Sequence, residues 1–194
     1  MNTTTAHAHI SIDVAPSVET LRLLWQQFER DPLRPMLLAD TTAFLSAQHF
    51  CAAVGNTILP FVPHVDGAPA GMAWLYDVAM VTPKMIPVSA FLAVYVLEAF
   101  RSKNIIHECA SEFLDIVRGY GLEQLWAEVR TDNVAPQYAL RTFGFEQVAV
   151  LPSWKRYGGV WQNMVLYRRT LGVRRVRGCW RTSPARPCSG DRAA

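Results

Sequence analysis

The sequence predicts one α/β domain followed by a short basic tail. Stretches with helical periodicity and stretches with strand-like alternation follow one another along residues 9–168, which is typical of helices packed on a sheet. Hydrophobic residues make up 51% of the chain and charged residues 18%, so a buried core is expected. The length of 194 residues suits one domain and is too short for two full-sized ones.

The first part of the chain is predicted to form a strand and two helices. Residues 9–14 alternate apolar and polar side chains, and Ser17 is the candidate N-cap of a first helix that runs to about Glu29. Four apolar residues define that helix: Leu21, Leu23, Leu24 and Phe28. Asp31 and the prolines after it end the helix. A second helix is predicted over residues 40–54, carrying Phe44, Leu45, His49 and Phe50.

A hairpin and a central strand come next. Residues 58–64 and 71–81 flank Asp66-Gly67, a dipeptide typical of tight hairpin turns. Pro83 and Pro87 separate the hairpin from the apolar run at residues 89–97. A continuous apolar strand is typical of a central position covered on both faces.

The second half alternates helices and strands. The predicted elements are a helix at 101–119, a strand at 125–129, a helix at 133–143 and strands at 145–151 and 161–168. Gly158-Gly159 is the predicted turn into the last strand. The whole domain is therefore expected to span residues 1–171.

Residues 172–194 form a basic tail with no hydrophobic period. Six arginines and one aspartate give it a local charge of +5, whereas the whole chain carries +3. We expect this tail to be disordered. Binding to nucleic acid is expected only through it, since the rest of the chain is slightly acidic.

Composition also argues against several classes of protein. The longest apolar stretch, residues 88–97, has half the length that a membrane-spanning helix needs. The first nine residues lack a basic end followed by an apolar run, so a cytoplasmic location is expected. A metal site is not expected, because the four cysteines form no C-x-x-C pair and the histidines His7 and His9 lie at the N-terminus.

Residues 125–145 read L-W-A-E-V-R-T-D-N-V-A-P-Q-Y-A-L-R-T-F-G-F. This segment resembles the second half of the GNAT family of N-acetyltransferases, in which a strand ending in Val-x-x-x-Asn leads through a short helix to Gly-Phe. The matching positions are Val129, Asn133, Gly144 and Phe145. The later run P-S-W-K-R-Y-G-G-V-W-Q-N-M-V-L-Y is similar to the last strand of the family and its approach, and the resemblance covers about residues 8–171.

The resemblance implies a fold and a reaction. The fold would be a mixed central sheet of about seven strands, splayed between the fourth and fifth and flanked by about four helices. The reaction would move an acetyl group from acetyl-CoA, a co-substrate, to an amine on a small molecule or a protein by direct attack, without a metal. The resemblance leaves open whether two copies of the chain form a homodimer.

Family members bind acyl-CoA through an Arg/Gln-x-x-Gly-x-Gly/Ala loop, whose glycines let backbone N–H groups approach the pyrophosphate. By resemblance, the cofactor-binding residues here are Val96, Arg101, Ser102, Lys103, Asn104, Ile105, Ile106 and Asn133. Asn104 and Ile106 occupy the two glycine positions, and Arg101 and Lys103 supply compensating charge. The alternative interpretation is the basic first turn of an ordinary amphipathic helix.

The acid that protonates the leaving thiolate is also unusual. In many family members it is a tyrosine seven residues after the asparagine, and that position is Leu140 here. Tyr138 lies two residues earlier, about 200° around the helix, so a packing role competes with a catalytic one.

For the general base, the resemblance points either to a water chain from the hairpin or to a carboxylate at or near the fourth strand. Glu98 at its end is the first candidate, with Asp77 and Glu128 as other carboxylates, and Tyr95 is a further residue that could face the cleft. Each of these carboxylates could instead be an ordinary exposed charge.

Two functions therefore stay open from the sequence. The first is an acyl-CoA-dependent N-acetyltransferase. The second is a GNAT-like binding protein that is catalytically weak or inactive, because the loop glycines and the usual tyrosine are absent. Aromatic residues that could line an acceptor pocket, or simply pack, are Trp74, Tyr76, Trp126, Trp154, Tyr157 and Trp161.

Overall fold

The computed structural model describes residues 9–34, 46–55, 57–81, 86–101 and 105–172. In this part of the chain the strands are β1 (Ile10–Asp13), β2 (Ile58–Val65), β3 (Ala68–Pro69), β4 (Gly71–Val81), β5 (Ile86–Val96), β6 (Gln124–Arg130), β7 (Glu146–Tyr157) and β8 (Val160–Thr170). The α-helices are α1 (Val18–Arg30), α2 (Ala47–Ala53), α3 (Ile105–Gly119) and α4 (Val134–Thr142). A 3-10 turn, Glu98–Phe100, lies between β5 and α3.

One mixed sheet holds all of these strands, in the order β1-β2-β4-β5-β6-β8-β7, with β3 paired to β2. β5 and β6 run parallel, and the other described pairs are antiparallel. The mixed α/β fold predicted from the resemblance is thus confirmed. The sheet has eight strands rather than about seven, and the additional one is the two-residue β3.

The sheet opens between β5 and β6. These two strands pair at three positions, from Ser89 with Gln124 to Phe91 with Trp126. Beyond that point β5 stays paired with β4 as far as Val96, and β6 stays paired with β8 as far as Arg130. A V-shaped gap therefore separates the ends of β5 and β6, which are the fourth and fifth of the predicted strands.

Helix α1 forms because the sequence supplies both an N-cap residue at its start and an apolar face that is buried. The Ser17 hydroxyl accepts a hydrogen bond of 3.1 Å from the backbone N–H of Thr20, as an N-cap should. Leu21, Leu24 and Phe28 are buried along one face, together with Trp25. Leu23 does not belong to this stripe, since it is 48% exposed.

The described residues pack into hydrophobic cores on both faces of the sheet. The first, which we call the α1 face, packs α1 and α2 against β4 and β5 through residues such as Trp25, Phe50 and Trp74. The second, the α3 face, packs α3 against β6 and β8 through residues such as Phe113 and Leu125. Because side chains alternate along a strand, successive residues of β5 and β6 serve opposite faces.

The hairpin turn agrees with its prediction. Asp66 and Gly67 have φ angles of 49° and 80°, the left-handed values that favour an Asp-Gly pair in a tight turn. Strand β7 continues to Tyr157, beyond the predicted end at residue 151, because a bulge between Leu151 and Lys155 interrupts its alternation. Ser153 in this bulge has a φ of 46°.

Strand β5 and helix α3 differ from their predictions at their first residues. β5 begins at Ile86 and includes Pro87, which was expected to lie outside the strand. Helix α3 begins at Ile105 rather than at residue 101, because the chain first makes the 3-10 turn, in which the Arg101 N–H donates to the Glu98 carbonyl at 3.2 Å.

Several predictions lie outside the described residues. They concern the second-helix residues Phe44 and Leu45, the break at Pro83, the loop residues Ser102, Lys103 and Asn104, and the tail after Gly172.

Candidate active site

An apolar cavity of about 140 Å³ lies on the α3 face beside the gap between β5 and β6. Strands β1, β2 and β4 contribute to its walls, but most of the lining comes from β5, α3 and the α4 region. These residues include Leu92, Val94 and Val96 on β5, Ile105, Ile106, Cys109 and Phe113 on α3, and Pro136, Ala139, Leu140 and Phe143 on α4 and just after it. Alternation along β5 sends every second side chain to this wall. The cavity can therefore hold an extended apolar group running along the open edge of β5.

The N-terminus of α3 stands at this cavity. Ile105 is buried with Val65 and Cys109, whereas Ile106 is 37% exposed and lines the cavity. The first N–H groups of a helix have no partners within it, and they attract anions. Of the predicted loop 101–106, the structure describes Arg101, Ile105 and Ile106.

Arg101 is a partly exposed side chain that reaches a buried carboxylate, Asp31, a pairing that the sequence does not reveal. Its Nη2 donates to Asp31 Oδ2, and its Nε donates to the Val96 carbonyl at 3.1 Å. The Tyr95 hydroxyl donates to the same Asp31 oxygen at 2.8 Å. The Asp31 side chain is only 3% exposed. The sequence alone indicates that Asp31 ends a helix, and no local pattern distinguishes that role from a role in an ion pair.

These contacts shift two pKa values in opposite directions. Burial raises the pKa of Asp31, but hydrogen bonds from Leu33, Tyr95 and Arg101 outweigh it and hold that pKa below its ordinary value. Burial and the neighbouring Asp31 carboxylate raise the pKa of Tyr95 above its ordinary value. The Tyr95 phenol therefore stays protonated at neutral pH and donates its hydrogen bond to the Asp31 carboxylate.

Tyr95 lies on the α1 face, away from the cavity. It is 4% exposed and packs edge-on against Phe28, with ring centroids 4.7 Å apart. Its neighbours Val94 and Val96 face the cavity instead. Of the two, Val96 is the predicted cofactor residue, and it lines the cavity.

Glu128 occupies the α1 face of the gap, two residues beyond the last paired position of β6. Trp154 Nε1 donates to its Oε1 at 3.0 Å, and the Lys155 ammonium pairs with its Oε2. The side chain is 10% exposed. Because Ala127 and Val129 face the α3 core, Glu128 and the cavity lie on opposite sides of the same opening.

Two tyrosines stand near this carboxylate. Burial, and then the charges of Glu128 and Asp77, raise the pKa of Tyr76. Burial, with a further contribution from Glu128, raises the pKa of Tyr157 to about 12. Both phenols are therefore neutral at pH 7 and can donate hydrogen bonds.

Aromatic rings continue across this face. Tyr76 and Phe91 have ring centroids 5.5 Å apart, and Phe91 and Trp126 have centroids 6.3 Å apart in a stacked arrangement. The Arg168 guanidinium lies 5.8 Å from the centroid of Trp126. Strands β4, β5 and β6 each contribute one ring to this row, which ends beside Glu128.

Asn133 occupies the N-cap position of α4, and its side chain makes no capping hydrogen bond there. The junction of β6 and α4 is held by Gln137 instead. Its amide donates to the carbonyls of Arg130 and Thr131 at 3.0 Å each, and its oxygen accepts from Tyr167. A polar residue one turn into a helix that directly follows a strand is the signal that could have identified it.

The remaining predicted catalytic residues are exposed. Tyr138 is 66% exposed, whereas Leu140 on the other side of α4 lines the cavity, as the 200° rotation predicts. Glu98 is exposed in the 3-10 turn. The structure thus brings Val96, Ile105, Ile106 and Leu140 together at the cavity, but not Glu98, Tyr95 or Tyr138.

The described residues contain neither a group of metal ligands nor a membrane-spanning helix. Within ranges 9–34, 46–55, 57–81, 86–101 and 105–172, no three His, Cys, Asp or Glu side chains are grouped so that they could hold a metal ion. None of the helices in that part of the chain is long and apolar enough to span a bilayer.

The chain is similar to acetyltransferases. The model of the family described as "Acetyltransferase (GNAT) family" matches residues 19–145. Among solved structures, a putative acetyltransferase from Salmonella typhimurium with its cofactor acetyl-CoA superposes with a TM-score of 0.64, at 17% identity over 84% of this chain and 94% of that one. No curated protein matches the chain.

Two further solved structures have the same fold. RimJ from Mycobacterium smegmatis in complex with CoA-disulfide gives a TM-score of 0.66, at 17% identity over 83% of this chain and 81% of that one. A ribosomal-protein alanine N-acetyltransferase from Escherichia coli gives 0.62, at 15% identity over 86% and 96% of the two chains. At these identities the similarity shows the fold.

Proposed function

The chain belongs to the acetyltransferase (GNAT) family, and we propose that it transfers an acetyl group from acetyl-CoA to an amine on a small molecule or a protein. One observation carries the proposal: the gap between β5 and β6 has an apolar cavity on one face and a carboxylate, Glu128, on the other. A thioester and an amine can therefore approach each other from opposite sides of the sheet. The solved relatives with acetyl-CoA or CoA disulfide support the choice of donor.

On the α3 face, the pantetheine arm of acetyl-CoA would lie along the open edge of β5. Beyond Phe91 the inner edge of this strand is not paired with β6, so its backbone groups are available to the amides of the arm. Val94, Val96 and Leu140 would contact the arm through apolar surface. The N-terminal N–H groups of α3, with Lys103 and Asn104 before them, would bind the pyrophosphate.

On the α1 face, the acceptor amine would enter beside Glu128. An ammonium group is attracted to a carboxylate but must lose a proton before its nitrogen can attack. Glu128 is held in place by Trp154 and Lys155, which fixes the direction of its oxygens. Glu128 is therefore preferred to the exposed Glu98 as the general base, since it lies at the gap itself.

The reaction follows from this arrangement. The ammonium first gives one proton to Glu128, and the neutral nitrogen then forms a bond to the thioester carbon. As the carbon–sulfur bond breaks, the nitrogen releases its second proton to solvent. The departing thiolate takes up a proton from solvent, because Leu140 occupies the position of the usual tyrosine and Tyr138 points away from the cavity. Holding both reactants in line supplies most of the acceleration.

One observation favours the second function, a binding protein with weak or no catalysis. The side chains of Leu140 and Ile106, which line the cavity, can neither protonate a thiolate nor donate a hydrogen bond to a phosphate. Such a protein would bind acetyl-CoA and release CoA slowly or not at all. Turnover, rather than binding, separates the two functions.

Calorimetric titration with acetyl-CoA, followed by an assay of CoA thiol release with a panel of small amines and N-terminal peptides, tests the proposal. We expect a Kd between micromolar and sub-millimolar values and amine-dependent thiol release. Binding without release would favour the inactive alternative. No heat and no thermal shift with millimolar acetyl-CoA, propionyl-CoA and CoA would contradict both.

A further inference from the structure

Asp31 is a buried carboxylate that three separate segments of the chain satisfy. It accepts hydrogen bonds from the Leu33 N–H at 2.8 Å, from the Tyr95 hydroxyl at 2.8 Å and from Arg101. These donors come from the turn after α1, from β5 and from the turn before α3. A carboxylate that is 3% exposed would be costly without such partners, so the three segments are tied together at this point.

Arg101 is correspondingly occupied by the protein. Its Nη2 is committed to Asp31, its Nε to the Val96 carbonyl, and its guanidinium carbon lies 5.9 Å from the centroid of the Tyr95 ring. Two of its donor positions therefore point back to the α1 face and to the end of β5. The Nε–Nη2 edge of the guanidinium is thus bonded within the protein and is directed away from the α3 face, so this edge cannot also hold a phosphate.

We propose that Arg101 is not a phosphate ligand but, together with Asp31, a positioning residue that fixes the 3-10 turn in front of α3. The inference rests on the proposed binding of acetyl-CoA. The turn precedes α3, whose residues Ile105 and Ile106 line the cavity, so in this proposal the pair acts on the direction from which the chain approaches that helix. Asp31 and Arg101 then determine cofactor affinity without contact with the cofactor.

The same carboxylate also connects the two faces of the sheet. Asp31 ends α1, its carbonyl accepts the Arg34 N–H at 2.9 Å, and its side chain reaches the turn that precedes α3 on the other face. The end of α1 is therefore joined to the turn that precedes α3 through one ion pair. Tyr95 adds a second contact between Asp31 and the strand that borders the gap.

Calorimetric titration with acetyl-CoA tests this inference on four variants: Asp31→Asn, Arg101→Ala, Arg101→Lys and the Asp31→Asn/Arg101→Ala double variant. The titrations are run at a temperature at which circular dichroism shows that each variant is folded. We expect Asp31→Asn and Arg101→Ala each to weaken binding about tenfold, and the double variant to be no weaker than the weaker single one. Arg101→Lys should not rescue binding, since an ammonium cannot make both bonds. Arg22→Ala, which breaks the exposed ion pair with Glu19, is the matched control and should leave the Kd unchanged.

A direct phosphate role for Arg101 gives the opposite pattern. Asp31→Asn would then release Arg101 and leave affinity unchanged or tighter, while Arg101→Lys would retain much of it, and either result overturns the inference. Lower thermal stability with an unchanged Kd in both single variants would also overturn it, since the pair would then be merely structural. If the wild type does not bind acetyl-CoA, the proposed function fails and the effect on affinity fails with it. Urea unfolding of the wild type, the two single variants Asp31→Asn and Arg101→Ala, and the double variant then tests the coupling of Asp31 and Arg101 alone, which additive losses would contradict and non-additive losses would support.

Discussion

Phe91 and Trp126 are the last residues at which β5 and β6 pair, and their rings stack across the two strands with centroids 6.3 Å apart. Past this position the inner edges of the two strands have separated. On the α3 face the cavity wall begins one residue later, at Leu92, and on the α1 face Glu128 follows two residues after Trp126. The stacked pair therefore marks the closed end of the gap in which the reaction is proposed to take place.

Leu140→Tyr should increase acetyl transfer. Leu140 lines the cavity at the position where many family members carry the tyrosine that protonates the thiolate. A correctly placed general acid contributes about 10²–10⁴-fold, so we expect kcat to rise at least about tenfold. Leu140→Phe has the same ring without the hydroxyl and should show no rise. Equal kcat values for the Tyr and Phe variants would show that protonation of the thiolate does not limit the rate.

Glu128→Gln should lower kcat by about 10²-fold or more while leaving the KM for acetyl-CoA within about twofold, since the carboxylate lies on the face opposite the cavity. The amide keeps an oxygen for Trp154 but cannot take a proton. Glu98→Gln is the matched comparison, because the sequence alone favours Glu98. A larger loss of kcat in Glu98→Gln than in Glu128→Gln would show that Glu98, in the turn after β5, is the general base instead.

Asn133→Ala should weaken acetyl-CoA binding about fivefold, which corresponds to about 1 kcal/mol for one neutral hydrogen bond, without changing stability. Its side chain makes no capping bond within α4, so the fold does not depend on it.

Gln137→Leu should instead leave acetyl-CoA binding unchanged and lower the free energy of unfolding by about 1–3 kcal/mol, because the Arg130 and Thr131 carbonyls lose their donor. Titration and urea unfolding of both variants separate the two roles, and a destabilised Asn133→Ala would contradict this assignment.

A chain that ends at Leu171 should melt within about 3 °C of the full chain, which corresponds to less than about 1 kcal/mol. Leu171 is itself fixed: its N–H donates to Glu123 at 2.8 Å and its carbonyl accepts from Arg118 at 3.1 Å. Differential scanning calorimetry of the two chains is the measurement. A loss of much more than 3 °C would mean that residues 172–194 dock on the domain.

The sequence by itself determined the elements and their order. Ser17, the stripe Leu21 to Phe28, the Asp66-Gly67 turn and the apolar run of β5 act through local geometry and alternation, which residues close in the chain control. The segment from Val129 to Phe145 likewise carries the family resemblance within one continuous stretch of chain. Motifs of this kind are local, so Val96, Ile105, Ile106 and Leu140 could be assigned to family site positions from the sequence.

Only the tertiary structure decided which polar groups face each other. Asp31 and Arg101 are 70 residues apart in sequence, and Glu128 and Lys155 are 27 apart, so no local pattern could pair them. Tyr95 illustrates the point. Its place on the predicted fourth strand allows it to face the cleft, whereas strand alternation and packing against Phe28 direct it to Asp31 on the α1 face. A buried charge is stable only with its partners, and those partners exist only after the sheet and both layers of helices have packed.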